Sequence, residues 1–380
     1  MEPEGTSSRG LCSLAAQNIS SVVEKQRRPT SCRDLVAPCV FSANGQDSLT
    51  WIDTLLTIQP DQRGKQRLLA IPLRQPLHSR IVRERLEYAL VWPAIKLLGG
   101  LPRSISRPLG IAIGLAVYHL HSRLRAVGMR NLALAFPTMS EGERRRIVRG
   151  EFISLGRLLA EFCRFPAYTR ENVSDVVVYD GLENYQRAMA RSKGVLFLTA
   201  HLGAWELSAF AHSLHGHPLW IVMRPLDNPC LNALVERYRT LHGNRTVSKD
   251  DSVRGLLSAM RAGEAVGILM DTNMTPPQGV FVNFFGIPAC TASGLARIAL
   301  RTDAAVVPGF TIWDEKKRKY FLRFDPALEL IRTGDDQADV VANTARFTSV
   351  IEDYVRRYPD QWLWVHRRWK TRPEGGGPLY

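Results

Sequence analysis

A histidine and a glutamate, separated by four residues, follow a short apolar segment near the middle of the chain. Residues 194–200 read GVLFLTA, and the next stretch, HLGAWEL, contains His201 and Glu206. A neutral imidazole can take a proton from a hydroxyl, while a carboxylate on its second nitrogen stabilises the imidazolium that forms. The pair therefore predicts general-base catalysis. A hydrogen-bonded structural histidine beside an exposed glutamate is the competing interpretation.

The spacing of these two residues requires a turn between them. In one regular helix, positions five residues apart point about 140° away from each other, so they cannot share a face. If His201 lies in a turn and Glu206 in the helix that follows, the two side chains can meet. Gly203 makes such a turn easy, since glycine adopts positive φ without strain. The amino terminus of that helix is expected to oppose protonation of His201 and keep the base neutral.

Other catalytic chemistries lack their motifs. The chain has no GxSxG, HExxH or Walker A sequence, which argues against a serine hydrolase elbow, a zincin and a P-loop enzyme. His212, His215 and His217 lie near His201, but their spacing matches no standard zinc site. We therefore expect neither a metal nor an organic cofactor.

Three further polar residues are candidates for substrate binding. Arg224, in VMRPLDNP, follows a predicted strand and could bind a phosphate or stabilise an oxyanion. Asp271 ends another predicted strand. Thr291 could cap a helix that begins near Ser293, whose backbone amides could face an anion. For each of the three, a positioning or packing role fits equally well.

Apolar segments alternate with helical patterns from Gly194 onward. Strands are predicted at 194–200, 219–223, 265–271 and 304–313, and helices at 204–216, 228–243, 251–263 and 293–302, with a long loop at 272–292. This alternation favours a mostly parallel sheet that helices cover on both faces. The predicted fold class is therefore α/β, with the chemistry where strands lead into helices.

A long amphipathic helix is predicted upstream of this region. Ser140 and Glu143 have the spacing of a capping box. Apolar side chains then recur on one helical face at Val148, Phe152, Leu155, Leu159 and Phe162, opposite Arg144, Arg145 and Arg146. Most such helices simply pack one face against a core.

Two oily segments, 86–101 and 109–120, precede that helix. Neither cleanly reaches the roughly 20 apolar residues of a spanning helix, and Pro93 and Lys96 interrupt the first. Arginines stand between and after them at 103, 107, 123 and 125. Buried core helices would explain both segments, but a membrane-embedded or interfacial anchor, with arginines reaching headgroups, is favoured. The predicted organisation is a poorly ordered leader at 1–80, a membrane-associated helical segment at 81–125, the α/β domain at 126–373 and a tail at 374–380.

The composition indicates an anionic partner. The chain has 380 residues and a net charge of +14, which suits nucleic acid, an acidic lipid surface or an acidic carrier protein, although a generically basic surface would also account for it. The six cysteines are scattered and form no CxxC pair, as expected in a reducing compartment.

A tryptophan-rich stretch, WLWVHRRWKTR, lies near the carboxyl end. It interleaves three tryptophans with basic residues, namely Trp362, Trp364, Trp369, Arg367, Arg368, Lys370 and Arg372. Tryptophans favour the bilayer interface and cations pair with headgroups, so the stretch is predicted to contact an anionic membrane surface. The same composition could stack on single-stranded nucleic acid. The oily segments favour lipid, and we expect no nucleic-acid partner.

Several motifs in order resemble those of the bacterial lipid A biosynthesis acyltransferases. They are HLGAWEL at 201–207, DTNMTPPQGVFVNFFGIPACTASGLARIALRTDAAVVPGF at 271–310 and YPDQWLWVHRRWKTRP at 358–373, and the resemblance also covers RLEYALVW, RNLALAFPTMSEGER and EFISLGRLLAEF, so it spans roughly residues 84–373. One departure is Thr272, where the family tends to have glutamine after the aspartate. That puts a polar role for this position in doubt.

The resemblance implies an activity and a site. His201 and Glu206 match the family's catalytic pair, so His201 would deprotonate a hydroxyl of a lipid A precursor or related glycolipid and Glu206 would orient the ring. The oxygen would attack the thioester of acyl carrier protein, or of acyl-CoA, without an acyl-enzyme. Family members are anchored to the cytoplasmic face of the inner membrane. A different glycolipid acceptor, such as a mannosylated lipid, a hydrolase, and a noncatalytic membrane-binding protein are the alternatives.

Overall fold

The computed structural model describes residues 77–248 and 252–380. The helices of this part are α1 (Leu77–Gly100), α2 (Arg103–Leu120), α3 (Ser122–Ala135), α4 (Glu141–Cys163), α5 (Leu182–Met189), α6 (Trp205–Leu214), α7 (Pro229–Arg239), α8 (Ser252–Arg261), α9 (Gly294–Thr302) and α10 (Asp336–Arg357). The strands are β1 (Val177–Asp180), β2 (Val195–Thr199), β3 (Leu219–Met223), β4 (Arg245–Ser248), β5 (Ala265–Leu269), β6 (Gly279–Phe284), β7 (Ile287–Ala292), β8 (Ala305–Asp314) and β9 (Lys319–Phe324). Residues 1–76 of the predicted leader lie outside the described residues, and residues 77–80 begin α1.

A seven-stranded sheet forms the centre of the fold, in the order β1-β9-β8-β2-β5-β3-β4. The five strands from β8 to β4 are parallel, while β9 pairs antiparallel with β8 and parallel with β1. The predicted α/β class with a mostly parallel sheet is confirmed. The predicted long loop after β5 is wrong in one respect, because it contains the antiparallel hairpin of β6 and β7.

Helices cover both faces of this sheet, as the continuous apolar strands predict. Alternate residues of β2 enter two separate hydrophobic clusters: Leu196 and Leu198 enter one, and Val195 and Phe197 enter the other. Helices α8, α9 and α10 pack on the first side, and α5, α6 and α7 on the second. The core therefore lies in two layers, one on each side of the sheet.

Helix α4 begins where its capping box predicts. The Ser140 hydroxyl accepts from the Glu143 amide, and the Glu143 carboxylate accepts from the Ser140 amide. The sequence predicts one buried face on α4, but the helix buries a second face against α2. A Cβ at Gly156 would lie 2.3 Å from the carbonyl oxygen of Gly110, so this helix crossing requires glycine.

Helices α1 and α2 expose many large apolar side chains, which together we call the apolar α1–α2 surface. Its members are Ile81, Val82, Leu86, Leu90, Val91, Trp92, Leu97, Ile105, Leu109, Ile113, Val117 and Leu120. Among the described residues, no helix combines the length and apolar character that a membrane crossing needs. An exposed apolar surface of this extent is unusual for a monomeric protein in water.

Three of the four arginines predicted to reach headgroups have internal partners instead, namely Arg103, Arg107 and Arg125, whereas Arg123 is exposed. Arg107 is buried and its Nη2 lies 2.6 Å from the carboxylate of Glu161, while Arg103 Nε lies 3.3 Å from the same oxygen. Arg125 donates to the carbonyl oxygen of Tyr118. A buried carboxylate needs such cations because desolvation penalises an unpaired charge.

Candidate active site

His201 and Asp271 meet at the carboxyl edge of the sheet. Strands β2 and β5 are parallel neighbours, so the residues that follow them emerge side by side. The Nδ1 atom of His201 lies 2.8 Å from Oδ1 of Asp271, and the backbone amide of His201 donates to Oδ2 at 2.9 Å. Trp362 donates from Nε1 to the same Oδ2 at 2.7 Å. Three donors thus fix one buried carboxylate at the Nδ1 edge of the imidazole.

The turn that carries His201 is held on both sides. Gly203 has a φ of 61°, and a Cβ there would lie 2.0 Å from the carbonyl oxygen of Thr311 on β8. The turn predicted at Gly203 is present, and the close approach of Thr311 adds a reason for glycine there. The backbone carbonyl of Gln361 accepts from the Gly203 amide at 2.8 Å, and the backbone carbonyl of His201 accepts from the Leu363 amide at 3.1 Å. The histidine therefore sits on a rigid turn between β8 and the segment after α10.

The amino terminus of α6 was expected to lower the pKa of His201, but the pKa of this histidine is raised. Burial favours the neutral ring, but the Asp271 carboxylate outweighs it, and the pKa of His201 is raised. Burial also opposes ionisation of Asp271, yet His201 and the hydrogen bond from Trp362 keep the pKa of Asp271 lowered. The carboxylate is therefore charged, and it stabilises the imidazolium that a general base forms.

Glu206 lies in the helix after the turn, as its spacing predicts, but its carboxylate bonds to Arg239 and not to His201. It lies in the first turn of α6, and both its oxygens accept from Arg239 at the end of α7, with Nε 2.8 Å from Oε2. Its electrostatic effect also raises the pKa of His201, less than that of Asp271. The carboxylate that holds the second nitrogen of His201 is thus Asp271, because the strand order brings it there, and Glu206 holds Arg239 instead.

A cavity of about 1440 Å³ opens in front of His201. Its wall includes Glu206, Arg239, Arg224 and Thr272. Arg224 lies at the surface and pairs with the exposed Asp227 at 3.1 Å. The Nε2 atom of His201 makes no hydrogen bond with residues of 77–248 or 252–380, so it is free to contact a molecule in this cavity.

The cavity has apolar walls on both sides of the sheet. Phe197, Leu219 and Phe324 belong to the cluster under α6 and α7, whereas Leu256 and Leu295 belong to the cluster under α8 and α9. Both sets line the same cavity as His201. Such a cavity suits long hydrocarbon chains with a polar reacting centre.

Thr291 does not line this cavity and is fully buried on β7. Its hydroxyl donates to the carbonyl oxygen of Ala289 at 3.1 Å and accepts from Arg368. Ser293 occupies the cap position of α9, so the cap assigned to Thr291 is wrong. The hairpin places Thr291 toward the protein interior, which the sequence pattern around it does not reveal.

The tryptophans of the tryptophan-rich stretch are buried, which contradicts their predicted contact with a membrane, whereas Lys370 is exposed and Arg367 is half-buried. Trp362, Trp364 and Trp369 are at most 1% exposed, and Arg368 is equally buried, with Nη1 2.9 Å from the carbonyl oxygen of Cys290. Its residues pack on the first hydrophobic cluster and support Asp271. Composition alone cannot distinguish this interior network from an interfacial belt, since both need aromatic rings beside cations.

The site offers no metal ligands in the described part of the chain. No group of three or more histidine, cysteine, aspartate or glutamate side chains there is arranged to hold an ion. His212 is buried among aromatic rings, with its Nδ1 2.8 Å from the hydroxyl of Tyr179. Burial lowers the pKa of His212 to about 3, which leaves it neutral.

Comparison with known proteins identifies the family of this chain. The family model for bacterial lipid A biosynthesis acyltransferases matches residues 77–371. A lipid A biosynthesis palmitoleoyltransferase of Escherichia coli K12 is 28% identical over 311 residues, which cover 81% of this chain and 97% of that protein. A lauroyltransferase of the same strain is 28% identical over 300 residues (79% and 95%), and a myristoyltransferase is 25% identical over 287 residues (75% and 88%).

Proposed function

Since the chain belongs to the bacterial lipid A biosynthesis acyltransferase family and is therefore an acyltransferase, we propose that it moves a fatty acyl chain from a thioester carrier to a hydroxyl of a lipid A precursor or related glycolipid. One observation carries the mechanistic part of this proposal. Asp271 holds Nδ1 of His201, which leaves Nε2 toward a cavity with apolar walls. The donor is acyl carrier protein or acyl-CoA, both of which are anionic and suited to a chain of charge +14.

In the proposed reaction, His201 acts as a general base. Its Nε2 takes the proton of the lipid hydroxyl while the oxygen attacks the thioester carbonyl carbon. The tetrahedral intermediate collapses, the carbon–sulfur bond breaks, and the departing thiolate takes the proton back from the imidazolium. The products are an ester and the free carrier thiol, with no acyl-enzyme.

Asp271 is the proposed positioning residue for this base. It fixes the ring with Nδ1 as donor and stabilises the imidazolium, which is the role of the buried acid in a catalytic triad. Trp362 holds the carboxylate in place through its indole nitrogen. Glu206 then acts indirectly, by holding Arg239 at the cavity wall.

Arg239 is better suited than Arg224 to stabilise the oxyanion of the intermediate. Its side chain is largely buried, fixed by two hydrogen bonds to Glu206, and close enough to His201 to affect the pKa of that ring. Arg224 is mostly exposed and pairs with another exposed residue, Asp227. A preorganised cation in a dry site stabilises developing charge more than a mobile cation in water.

The proposed location is the cytoplasmic face of the inner membrane. The apolar α1–α2 surface supports an interfacial attachment, since its exposed side chains would leave water on contact with lipid. Because the three tryptophans of the tryptophan-rich stretch are buried, they are left out of this contact. The apolar part of the attachment is therefore assigned to α1 and α2.

Transfer can be measured directly. The full chain is incubated with a radiolabelled acyl thioester and a lipid A precursor, and the lipid products are separated. We expect acylated lipid from the native protein and at least about a hundredfold less from His201→Ala. Near-native transfer by folded His201→Ala would refute the general base, and mainly free fatty acid from the native protein would indicate a hydrolase instead.

A further inference from the structure

A second cavity, of about 420 Å³, opens beside the catalytic one, and three cations line it. Arg123 comes from α3, and Arg367 and Lys370 come from the segment after α10. We call this space the cationic pocket. Asn273 and His366 line both cavities, so they form the partition between them.

The partition is a fixed part of the structure. The Asn273 amide donates to Nε2 of His366 at 2.8 Å, and the Asn273 side chain exchanges two hydrogen bonds with Thr371. Burial lowers the pKa of His366 to about 4, so this wall is neutral at physiological pH. Asn273 follows Asp271 by two residues, which places the cationic pocket next to the reacting centre.

Among the described residues that line the cationic pocket, none balances the charges of its three cations. None of the described residues that line it carries a carboxylate, and within 77–248 and 252–380 neither Arg123 nor Lys370 has a hydrogen-bonded or ion-paired side chain. The guanidinium of Arg367 lies over the ring of Tyr380, 5.7 Å from its centre, and has no ion pair among the described residues. Cations that converge without a counter-charge repel each other, and a bound anion removes that repulsion.

The neighbours of the cationic pocket indicate what carries the anion. Arg123 follows Leu120, which ends the apolar α1–α2 surface and is 85% exposed. A group bound here would lie at headgroup level if that surface contacts lipid. Arginine forks and a lysine are the side chains that bind phosphate oxygens. Resting on the proposed function, we infer that the cationic pocket binds a phosphate group of the acceptor glycolipid while its hydroxyl lies at His201.

The test compares acceptors with and without phosphate. The full chain, in mixed micelles, is assayed with a phosphorylated lipid A precursor and with the same lipid after enzymatic dephosphorylation. We expect R123A and K370A each to raise KM for the phosphorylated acceptor about tenfold, with kcat nearly unchanged, because each removes one charge-assisted contact. Neither variant should change KM for the dephosphorylated acceptor.

Arg261→Ala is the matched control. Arg261 is also exposed, but it lies in the last turn of α8, at the edge of the sheet opposite to His201. It should leave both KM values unchanged, which separates the local effect from the general effect of net charge. Thermal unfolding checks that each variant is folded.

Two results would overturn the inference by assigning the pocket to another phosphate. One is a rise in KM only for a carrier-bound donor, and not for a short acyl thioester that lacks phosphopantetheine. The other is that R123A and K370A bind phosphatidylglycerol vesicles more weakly than the native chain does, with no such loss on phosphatidylcholine vesicles, while their KM for the acceptor is unchanged. An equal rise in KM for both acceptors would also refute it. Loss of kcat in His201→Ala tests the proposed function separately, since that variant should fail with either acceptor.

Discussion

Replacing Asp271 with asparagine would remove one negative charge and leave the side-chain size unchanged. The native carboxylate accepts from the amide and Nδ1 of His201 and from Nε1 of Trp362. Asparagine has one acceptor oxygen, so its amide group must face at least one of these donors. The variant therefore loses the charge that stabilises the imidazolium and the contact that fixes the ring.

The expected size of this loss follows from the distance. His201 Nδ1 and Asp271 Oδ1 are 2.8 Å apart, and opposite charges whose centres are about 4 Å apart attract by about 4 kcal/mol at an effective dielectric constant near 20. Every ~1.4 kcal/mol of lost transition-state stabilisation lowers a rate tenfold. We therefore expect kcat of Asp271→Asn to fall about a thousandfold.

The pH profile tests the same contact independently. A general base acts in its neutral form, so kcat/KM should fall as the pH drops through the raised pKa of His201. Without the Asp271 carboxylate, burial still favours the neutral ring, and the acid limb should move to lower pH. The assay follows acyl transfer from acidic to alkaline pH and compares the native chain with Asp271→Asn.

Glu206→Gln is the informative control, because it keeps the contact between His201 and Asp271. Glu206 contributes less than Asp271 to the pKa of His201, so its acid limb should move less. The reasoning fails if folded Asp271→Asn keeps native kcat with an unmoved acid limb. It also fails if Glu206→Gln shifts that limb further than Asp271→Asn does.

Three other changes test the cavity, the helix packing and the membrane surface. In Gly309→Ala, the new Cβ would lie 3.1 Å from ring carbons of Phe324 at the cavity wall, so kcat/KM measured over a series of donors should shift toward shorter acyl chains; an unchanged preference would show that no chain passes this wall. In Gly156→Ala, the Cβ would lie 2.3 Å from the carbonyl oxygen of Gly110, and we expect a loss of about 1–3 kcal/mol in the free energy of unfolding, measured by denaturant titration; native stability would contradict the close crossing. Leu120→Glu places a charge on an 85% exposed apolar position, so vesicle co-sedimentation should weaken while the thermal unfolding temperature stays unchanged; undiminished binding would exclude this end of α2 from the membrane contact.

Local pattern was enough to predict the turn that carries His201. The apolar run before it, the glycine at 203 and the helix that follows all act over a few residues, and the structure has each of them. The capping box of α4 was predictable for the same reason. Features of this kind depend on neighbours in the chain, which the sequence displays directly.

The partner of His201 was not predictable in this way. Asp271 lies 70 residues away, and it meets His201 because β5 is the neighbour of β2 in the sheet. Glu206 is closer in sequence, but both oxygens of its carboxylate accept hydrogen bonds from Arg239 at the end of α7. Strand order and helix packing decide these pairs, and neither is visible in residue spacing.

The tryptophan-rich stretch shows a second limit of composition. Its rings and cations have the types of an interfacial belt, yet Trp362 and Arg368 are interior residues whose polar atoms bond to Asp271 and Cys290. The β6–β7 hairpin is a different case, because its signal was present. Gly286 stands between two apolar segments there, and both turn residues, Phe285 and Gly286, have positive φ.

The place of the base at the rim of the sheet suits a reaction that joins two lipids. The cavity has one apolar wall under α6 and α7 and another under α8 and α9, on opposite sides of the sheet, and His201 lines the same cavity. Two chains that occupied opposite sides would bring their reacting ends together where the strands end. His201 stands at that point, with Nδ1 held by Asp271 and Nε2 unbonded within the described residues. A hydroxyl arriving from one side and a thioester arriving from the other would meet at this nitrogen, without either chain crossing the backbone.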